Sequence, residues 1–360
     1  MKYNIRIRFI KTFTKNQLKD IKDYYKVMEL YNKGCPRKII RKKVKVSMDK
    51  LHLWRNTKTK PNSVKILQEA EKRKYLQMPQ KANLEWLAYL IGYNLGDGNI
   101  SKKLNNVWFY GVDNDLEDIR KLLIKFGIKP VIYTYKIDNG KMAVHDRVFS
   151  RFLICFGAVV GDKTKSRFYI PNWILNSNNK QIKKRFLQGL CDSELSSIKK
   201  IKNKNHSYQS LKFYQVKEKA YVNNGIKYMN QIRRLFKECR VSTSKIYEDR
   251  TYFRGRDGST MKQLFFILYS NSVNLNNFIE NIGFLNHAQR RQDLMKIKKE
   301  IKERSDFEKE KLKKYYLALN LRKKGLSAYK IAKKLNIEVF HIKNWIYFKK
   351  KPRILNFNII

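Results

Sequence analysis

A chain of 360 residues with 42% apolar content is long enough for two or three domains with real cores. Its 80 Lys and Arg against 30 Asp and Glu leave a formal charge of +50, which points to a polyanion as partner. No apolar run reaches the 18 residues of a membrane span, and the start MKYNIRIRFIK lacks the apolar core of a signal peptide. Four isolated cysteines (Cys35, Cys155, Cys191, Cys239) fit neither a zinc site nor a disulfide framework, so a reducing, cytoplasmic setting is expected.

The first module, within residues 1–75, is basic. Asn16–Lys33 has helical spacing of Leu18, Ile21, Tyr25 and Met28; Gly34 breaks it; Pro36–Lys43 and Met48–Arg55 read as two short helices around a turn at Val44–Ser47. That is the layout of a helix-turn-helix. Asn62–Asn83, rich in Lys and Glu, reads as a solvated helical spacer, as does Lys298–Lys311.

Leu84–Ser101, LEWLAYLIGYNLGDGNIS, is apolar nearly all round and belongs inside the protein. Gly92 and Gly96 share one helix face, at a cost of roughly 1 kcal/mol each relative to Ala, which close approach of another backbone would explain. Asp97 stands where the helix ends. The rest of this repeat, 84–182, reads as strand Val107–Gly111, helix Asn114–Phe126, a hairpin of Val131–Lys136 and Lys141–Val148 around Asp138-Asn139-Gly140, and helix Phe149–Phe156.

The second repeat, 183–298, opens on KRFLQGLCDSELSSIKK. At a constant offset of 97, Leu187 falls on Leu90, Gly189 on Gly92, Ser193 on Gly96 and Glu194 on Asp97. Two such helices packed through their small faces would bring Asp97 and Glu194 together, and neighbouring carboxylates repel unless a divalent cation lies between them. Strands follow at Ser197–Lys202 and Ser210–Val216, a helix at Asn223–Glu238, strands near Ser244–Asp249 and Met261–Tyr269, and a helix at Val273–Ile282.

Residues 308–360 repeat the first module at a constant offset of 291. Gly34 pairs with Gly325, Ile40 with Ile331, Trp54 with Trp345 and Pro61 with Pro352. GLSAYKIAKKLNIEVFHIKNWI resembles the resolvase/homeodomain-like helix-turn-helix class. Ser327 caps its second helix, and Glu338–Phe348 is the recognition helix, which places Lys343, Asn344 and Lys349 as DNA-binding candidates.

The pair LIGYNLGDG (Leu90–Gly98) and LQGLCDSEL (Leu187–Leu195) resembles the LAGLIDADG homing endonuclease family in its single-chain, two-motif form, over roughly residues 84–298. Leu195 stands where that family usually has Gly. The resemblance implies an α+β fold of two αββαββα repeats about a pseudo-two-fold axis, saddling double-stranded DNA. It also implies that Asp97 and Glu194 bind the catalytic Mg²⁺ or Mn²⁺, and that Lys163, with Lys165 as the second candidate, stabilises charge on the phosphate. His287 is the candidate for that lysine's place in the second repeat.

Strand residues of mixed basic and aromatic type suit a nucleic-acid groove. They are Tyr133, Tyr135 and Lys136 in the first repeat, and Lys199, Lys200, Lys202, Lys204, Lys212 and Tyr214 in the second. Three functions remain open at this level: a metal-dependent site-specific DNA endonuclease, a DNA-binding regulator that keeps the fold without the chemistry, and an RNA-binding intron maturase. A chain that holds both motifs is expected to work as a monomer. Its ends lack the residues that protein splicing needs, so an intein is not expected.

Overall fold

The structure, a computed structural model, describes residues 4–136, 139–196, 198 and 208–352, with backbone alone at 134–136 and 139. Two helices lie at its centre. Lys81–Leu95 is buried from Leu87 to Leu95, and Lys180–Glu194 is buried from Phe186 to Asp192. Their backbones touch at the glycines: a Cβ on Gly92 would stand 2.2 Å from the Phe186 carbonyl oxygen, and one on Gly189 2.1 Å from that of Tyr89. The small-faced packing expected from the two motifs is the packing found.

Each repeat hangs an antiparallel sheet from this pair. In the first, β1 (Gly98–Ile100), β2 (Val107–Gly111), β3 (Val131–Lys136) and β4 (Asn139–Val144) are ordered β1-β2-β4-β3. In the second, β5 (Leu211–Glu218), β6 (Tyr247–Arg254) and β7 (Ser259–Leu268) are ordered β5-β7-β6. Leu195 bridges to Phe213 as Gly98 pairs with Phe109, so the repeats start alike. The helix Asp113–Lys125 covers the first sheet with Leu116, Ile119 and Leu123; Val222–Glu238 covers the second with Met229, Ile232 and Phe236. Arg147–Cys155 and Ser272–Asn281 end the repeats. This is the expected α+β architecture. The strand expected at Ser197–Lys202 lies outside the described residues, Ile198 excepted.

Three expectations need correction. Asn139 and Gly140 are not turn residues but already belong to β4, paired with Lys136 and with Gly111. Gly140 is needed there because a Cβ would stand 2.2 Å from Asp113 Oδ1. β6 begins at Tyr247, three residues later than expected; it is an edge strand exposed along almost its whole length, so no alternation marks it. Asn62–Lys72 is not a solvated spacer: it buries Val64, Leu67 and Ala70, an i, i+3 stripe hidden among the charges.

The flanking modules each have a separate core. Lys15–Asn32, Arg37–Val44 and Met48–Arg55 enclose Tyr24, Val27, Leu30, Ile40, Leu51 and Trp54. The end of Ala288–Lys323, with Ala328–Leu335 and Val339–Ile346, encloses Tyr315, Ala318, Leu321, Ile331, Ile342 and Trp345. The short helices coincide at the 291-residue offset, as do the left-handed residues Gly34 and Gly325, Lys45 and Asn336, Lys58 and Lys349. Ser327 caps its helix by accepting from the Lys330 amide. The 36-residue helix Ala288–Lys323, about 54 Å long, buries Leu294, Ile297 and Ile301 in the central core before it reaches the last module. Among the described residues no helix is long and apolar enough to cross a membrane.

Candidate active site

Asp97 follows the first central helix by two residues, and Glu194 is the last residue of the second. Between them there is no room for a side chain at Gly96, where a Cβ would meet Ser193 Oγ at 1.9 Å and Glu194 Cγ at 2.9 Å. Leu195 needs no glycine's freedom. Its φ of −81° and ψ of 136° are ordinary extended values, and its side chain is fully buried. Leu195 therefore follows Glu194 without backbone strain.

Both carboxyls are held above their usual range. Lost hydration is the main cause for each. Asp97 is exposed as a residue, yet its carboxyl is hemmed in on the protein side. Glu194 is half-buried and pushed up to about 8, with the charge of Asp97 as second cause. Lys163 and Arg290 pull both acids back down.

Those two cations occupy equivalent places. Lys163 Nζ donates to the carbonyl oxygens of Asn94 (3.0 Å) and Leu95 (3.2 Å). Arg290 Nη1 donates to those of Cys191 and Asp192, both at 3.2 Å. Cys191 and Asp192 are Asn94 and Leu95 at the 97-residue offset, so each central helix ends on one cation, where the negative end of its dipole favours it. Burial lowers the pKa of Lys163, and Glu194, then Asp97, oppose that.

Arg290 was missed in the sequence, and His287 is not its substitute. His287 lies 3.5 Å from Asp115 and is pushed down to about 4 by burial, so it is neutral. Lys165 pairs with Asp257 at 2.9 Å instead. The turn before Arg290 is tied down by Asp192, whose carboxylate accepts from the amides of Leu285 (3.1 Å) and Asn286 (2.9 Å) and from the Tyr89 hydroxyl (3.0 Å).

Beside Glu194 lies a cavity of about 210 Å³ lined by Lys163, Gly96, Gln215 and Tyr228. Gln215 Oε1 and Tyr228 Oη are buried without hydrogen-bond partners. Buried polar atoms of this kind call for a polar occupant. The donor set is all oxygen, which suits a hard divalent ion such as Mg²⁺ or Mn²⁺. Among the described residues no three His, Cys, Asp or Glu side chains gather at one point, so two carboxylates leave the other coordination positions to water and a phosphate.

The sheet candidates divide. Tyr133 is exposed on β3, with its hydroxyl 3.1 Å from His145 Nε2. It stands beside Trp108 and Lys141, whose ammonium lies 4.6 Å from the Trp108 ring; both are outward-facing and alternation could have found them. Tyr135 and Lys136 lie on β3, but their side chains fall outside the described residues, as do Lys199, Lys200, Lys202 and Lys204 entirely. Lys212 and Tyr214 lie on the same face of β5, both against Phe265. Lys343 and Lys349 are exposed and Asn344 is half-buried in the last module.

Two repeats joined through glycine-faced helices, each helix delivering an acid and ending on a cation, define a pseudo-two-fold α+β protein with one composite, oxygen-rich centre. Residues 85–155 match the family model described as a LAGLIDADG-like domain. It is 32% identical to the DNA-directed RNA polymerase subunit Rpo1N of Methanocaldococcus jannaschii over 48% of this chain and 14% of that protein. The chain spans less than a quarter of the length of the curated relatives it matches first. Similar solved structures include full-length DUF199/WhiA from Thermatoga maritima (14% identity, 77% of this chain and 93% of that one, TM-score 0.36). They also include a variant of I-DmoI in complex with its target DNA (15% identity, 56% and 96%, TM-score 0.34).

Proposed function

We propose that this protein is a site-specific double-strand DNA endonuclease that hydrolyses phosphodiester bonds with Mg²⁺ or Mn²⁺. The observation that carries this reading is the pair Asp97 and Glu194, held side by side against their own repulsion, with a cation on each supporting helix. Asp97 and Glu194 would hold the metal through their carboxylate oxygens. A bound divalent ion supplies Lewis-acid stabilisation and acidifies water. Lys163 and Arg290 stand where positive charge stabilises a phosphate as negative charge develops on it. Gln215 and Tyr228 offer hydrogen bonds to the occupant of the adjoining cavity.

Duplex DNA fits the net charge of +50 and the aromatic and basic outer faces of both sheets. The two terminal modules act as helix-turn-helix units that lengthen the target, and one chain suffices because both motifs are in it. Selection of cleaved sequences from a randomised duplex library with Mg²⁺ or Mn²⁺ tests this. Cleavage at one defined sequence, absent in an Asp97→Asn, Glu194→Gln double variant, supports the proposal. Selective binding without cleavage would make the protein a regulator, and tighter binding to structured RNA would make it a maturase.

A further inference from the structure

We propose that Lys217 is the positioning residue for Lys163: acting from the second repeat, it fixes the turn that carries Lys163 and so the place of that ammonium in the centre. The inference rests on the endonuclease reading above, which gives Lys163 its work on the phosphate.

Lys217 is a fully buried lysine on β5. Burying an ammonium is costly unless its protons are directed at acceptors. Here Nζ donates to the carbonyl oxygens of Lys163 (2.8 Å) and Ser166 (2.9 Å) and lies 3.9 Å from the centre of the Phe168 ring. All three partners belong to one short stretch of the first repeat. Charge-assisted bonds away from water are strong, and removing the donor leaves its acceptors unpaired.

Lys163 is thereby pinned at both ends. Its Nζ donates to the carbonyls of Asn94 and Leu95, while its own carbonyl accepts from Lys217. The turn Lys163–Lys165 has no buried residue of its own to anchor it. Its other ties to the second repeat lie nearer the surface. Arg254 donates to Thr164 Oγ1 at 3.0 Å, and the exposed Arg256 donates to Asp162 at 2.9 Å. Water readily replaces an exposed contact of the second kind.

The device stands in one repeat only. Phe109 and Phe213 are equivalent through their pairing with Gly98 and Leu195. Four residues on, Asp113 stands opposite Lys217, and an ionised carboxylate cannot donate to a carbonyl. The helix that carries Arg290 is held differently: Asp115 accepts from the Ala288 amide at 3.2 Å. On β5, Gln215 lines the cavity beside Glu194, and Lys217, two residues on and on the same face, sets the cation of that cavity.

The test uses the full chain and its selected target. Lys217→Met keeps a chain of similar length without the donors. It is expected to slow single-turnover cleavage at saturating protein by about tenfold to a hundredfold, with DNA affinity in Ca²⁺ within about twofold of the wild type. Lys217→Gln, shorter but still a donor, should fall between the two, and Arg256→Ala should stay within about twofold of the wild-type rate. The decisive comparison is the double variant. Because Lys217 acts through Lys163, Lys163→Ala with Lys217→Met should be no slower than Lys163→Ala alone.

Losses that multiply in the double variant, or a Lys217→Met rate equal to the wild type, overturn the assignment. If neither Lys217 variant folds, Lys217 is a residue of stability and the assignment falls as well. Hydrogen exchange reads the same anchor without cleavage. The amides of Thr164, Lys165 and Phe168 are all hydrogen-bonded, and in Lys217→Met they should exchange about tenfold faster or more, with Phe186–Cys191 unchanged. If the wild type cuts no duplex, the endonuclease reading fails, and exchange alone decides whether Lys217 holds the Lys163 turn; unchanged exchange there would show that it does not.

Discussion

Gly189 lies so close to Tyr89 that an added Cβ would stand 2.1 Å from the Tyr89 carbonyl oxygen. A Cβ on its counterpart Gly92 would stand 2.2 Å from the Phe186 carbonyl oxygen. The two repeats are therefore joined backbone to backbone, and a methyl group at either position must separate the helices that carry Asp97 and Glu194. Gly189→Ala or Gly92→Ala should cost at least about 1–3 kcal/mol in urea unfolding. Gly255→Ala, where nothing lies within 4 Å, should cost little. Equal stability of all three would remove the close contact as the reason for these glycines.

Glu194 gives a pH signature in the metal-free protein. Its folded carboxyl titrates near 8 against an ordinary value of 4.5, so the folded state keeps a proton that the unfolded chain has released. That contribution to stability is complete below about 4.5 and is lost as pH climbs toward about 8. Glu194→Gln should therefore match the wild type near pH 4 and exceed it by on the order of 1–3 kcal/mol at pH 8.5 in chelator. A difference that shrinks as pH rises would contradict the burial of this acid.

Asp97→Asn should abolish or strongly slow cleavage while leaving DNA affinity equal or higher, because a charge of the same sign as phosphate is gone. Gel-shift titration in the presence of Ca²⁺ measures affinity apart from cleavage. Equal cleavage by wild type and variant would place the chemistry elsewhere.

Affinity for duplex DNA should fall steeply with salt, by about 10³ or more between 50 and 200 mM if six or more phosphates are contacted. A flat response in fluorescence anisotropy would rule out a phosphate-dominated interface.

Trp54 meets Tyr24 edge-on at 5.7 Å, and Trp345 meets Tyr315 at 5.8 Å. Trp345→Ala should destabilise the last module by about 3–5 kcal/mol, seen as early hydrogen exchange there with the central core still protected. Deletion of Lys313–Ile360 should shorten the footprint and weaken binding but spare cleavage at high protein concentration. Loss of cleavage from a folded truncation would give the module a part in the chemistry.

The sequence by itself determined the elements whose signal is local. The helix carrying Gly92, the amphipathic helix over the first sheet and β2 and β3 each repeat a short pattern that can be read along the chain. So does the terminal duplication, since Gly34 and Gly325, and Trp54 and Trp345, keep one offset throughout. The two acids were legible for the same reason: each stands at or just beyond the end of a helix with a small-residue face.

Tertiary structure alone decided what depends on approach between distant segments. Arg290 reaches Cys191 across 99 residues of chain, and nothing near it in sequence marks it as the partner of a helix end. Asn62–Lys72 looked solvated because its charges outnumber its buried stripe, and only the neighbouring helices show which face is covered. Leu195 fits where the resemblance puts glycine because the bridge to Phe213 holds it in an extended conformation that Leu adopts without strain. Periodicity records which face a segment buries; it does not record which segment comes to cover that face, and the centre is built from those meetings.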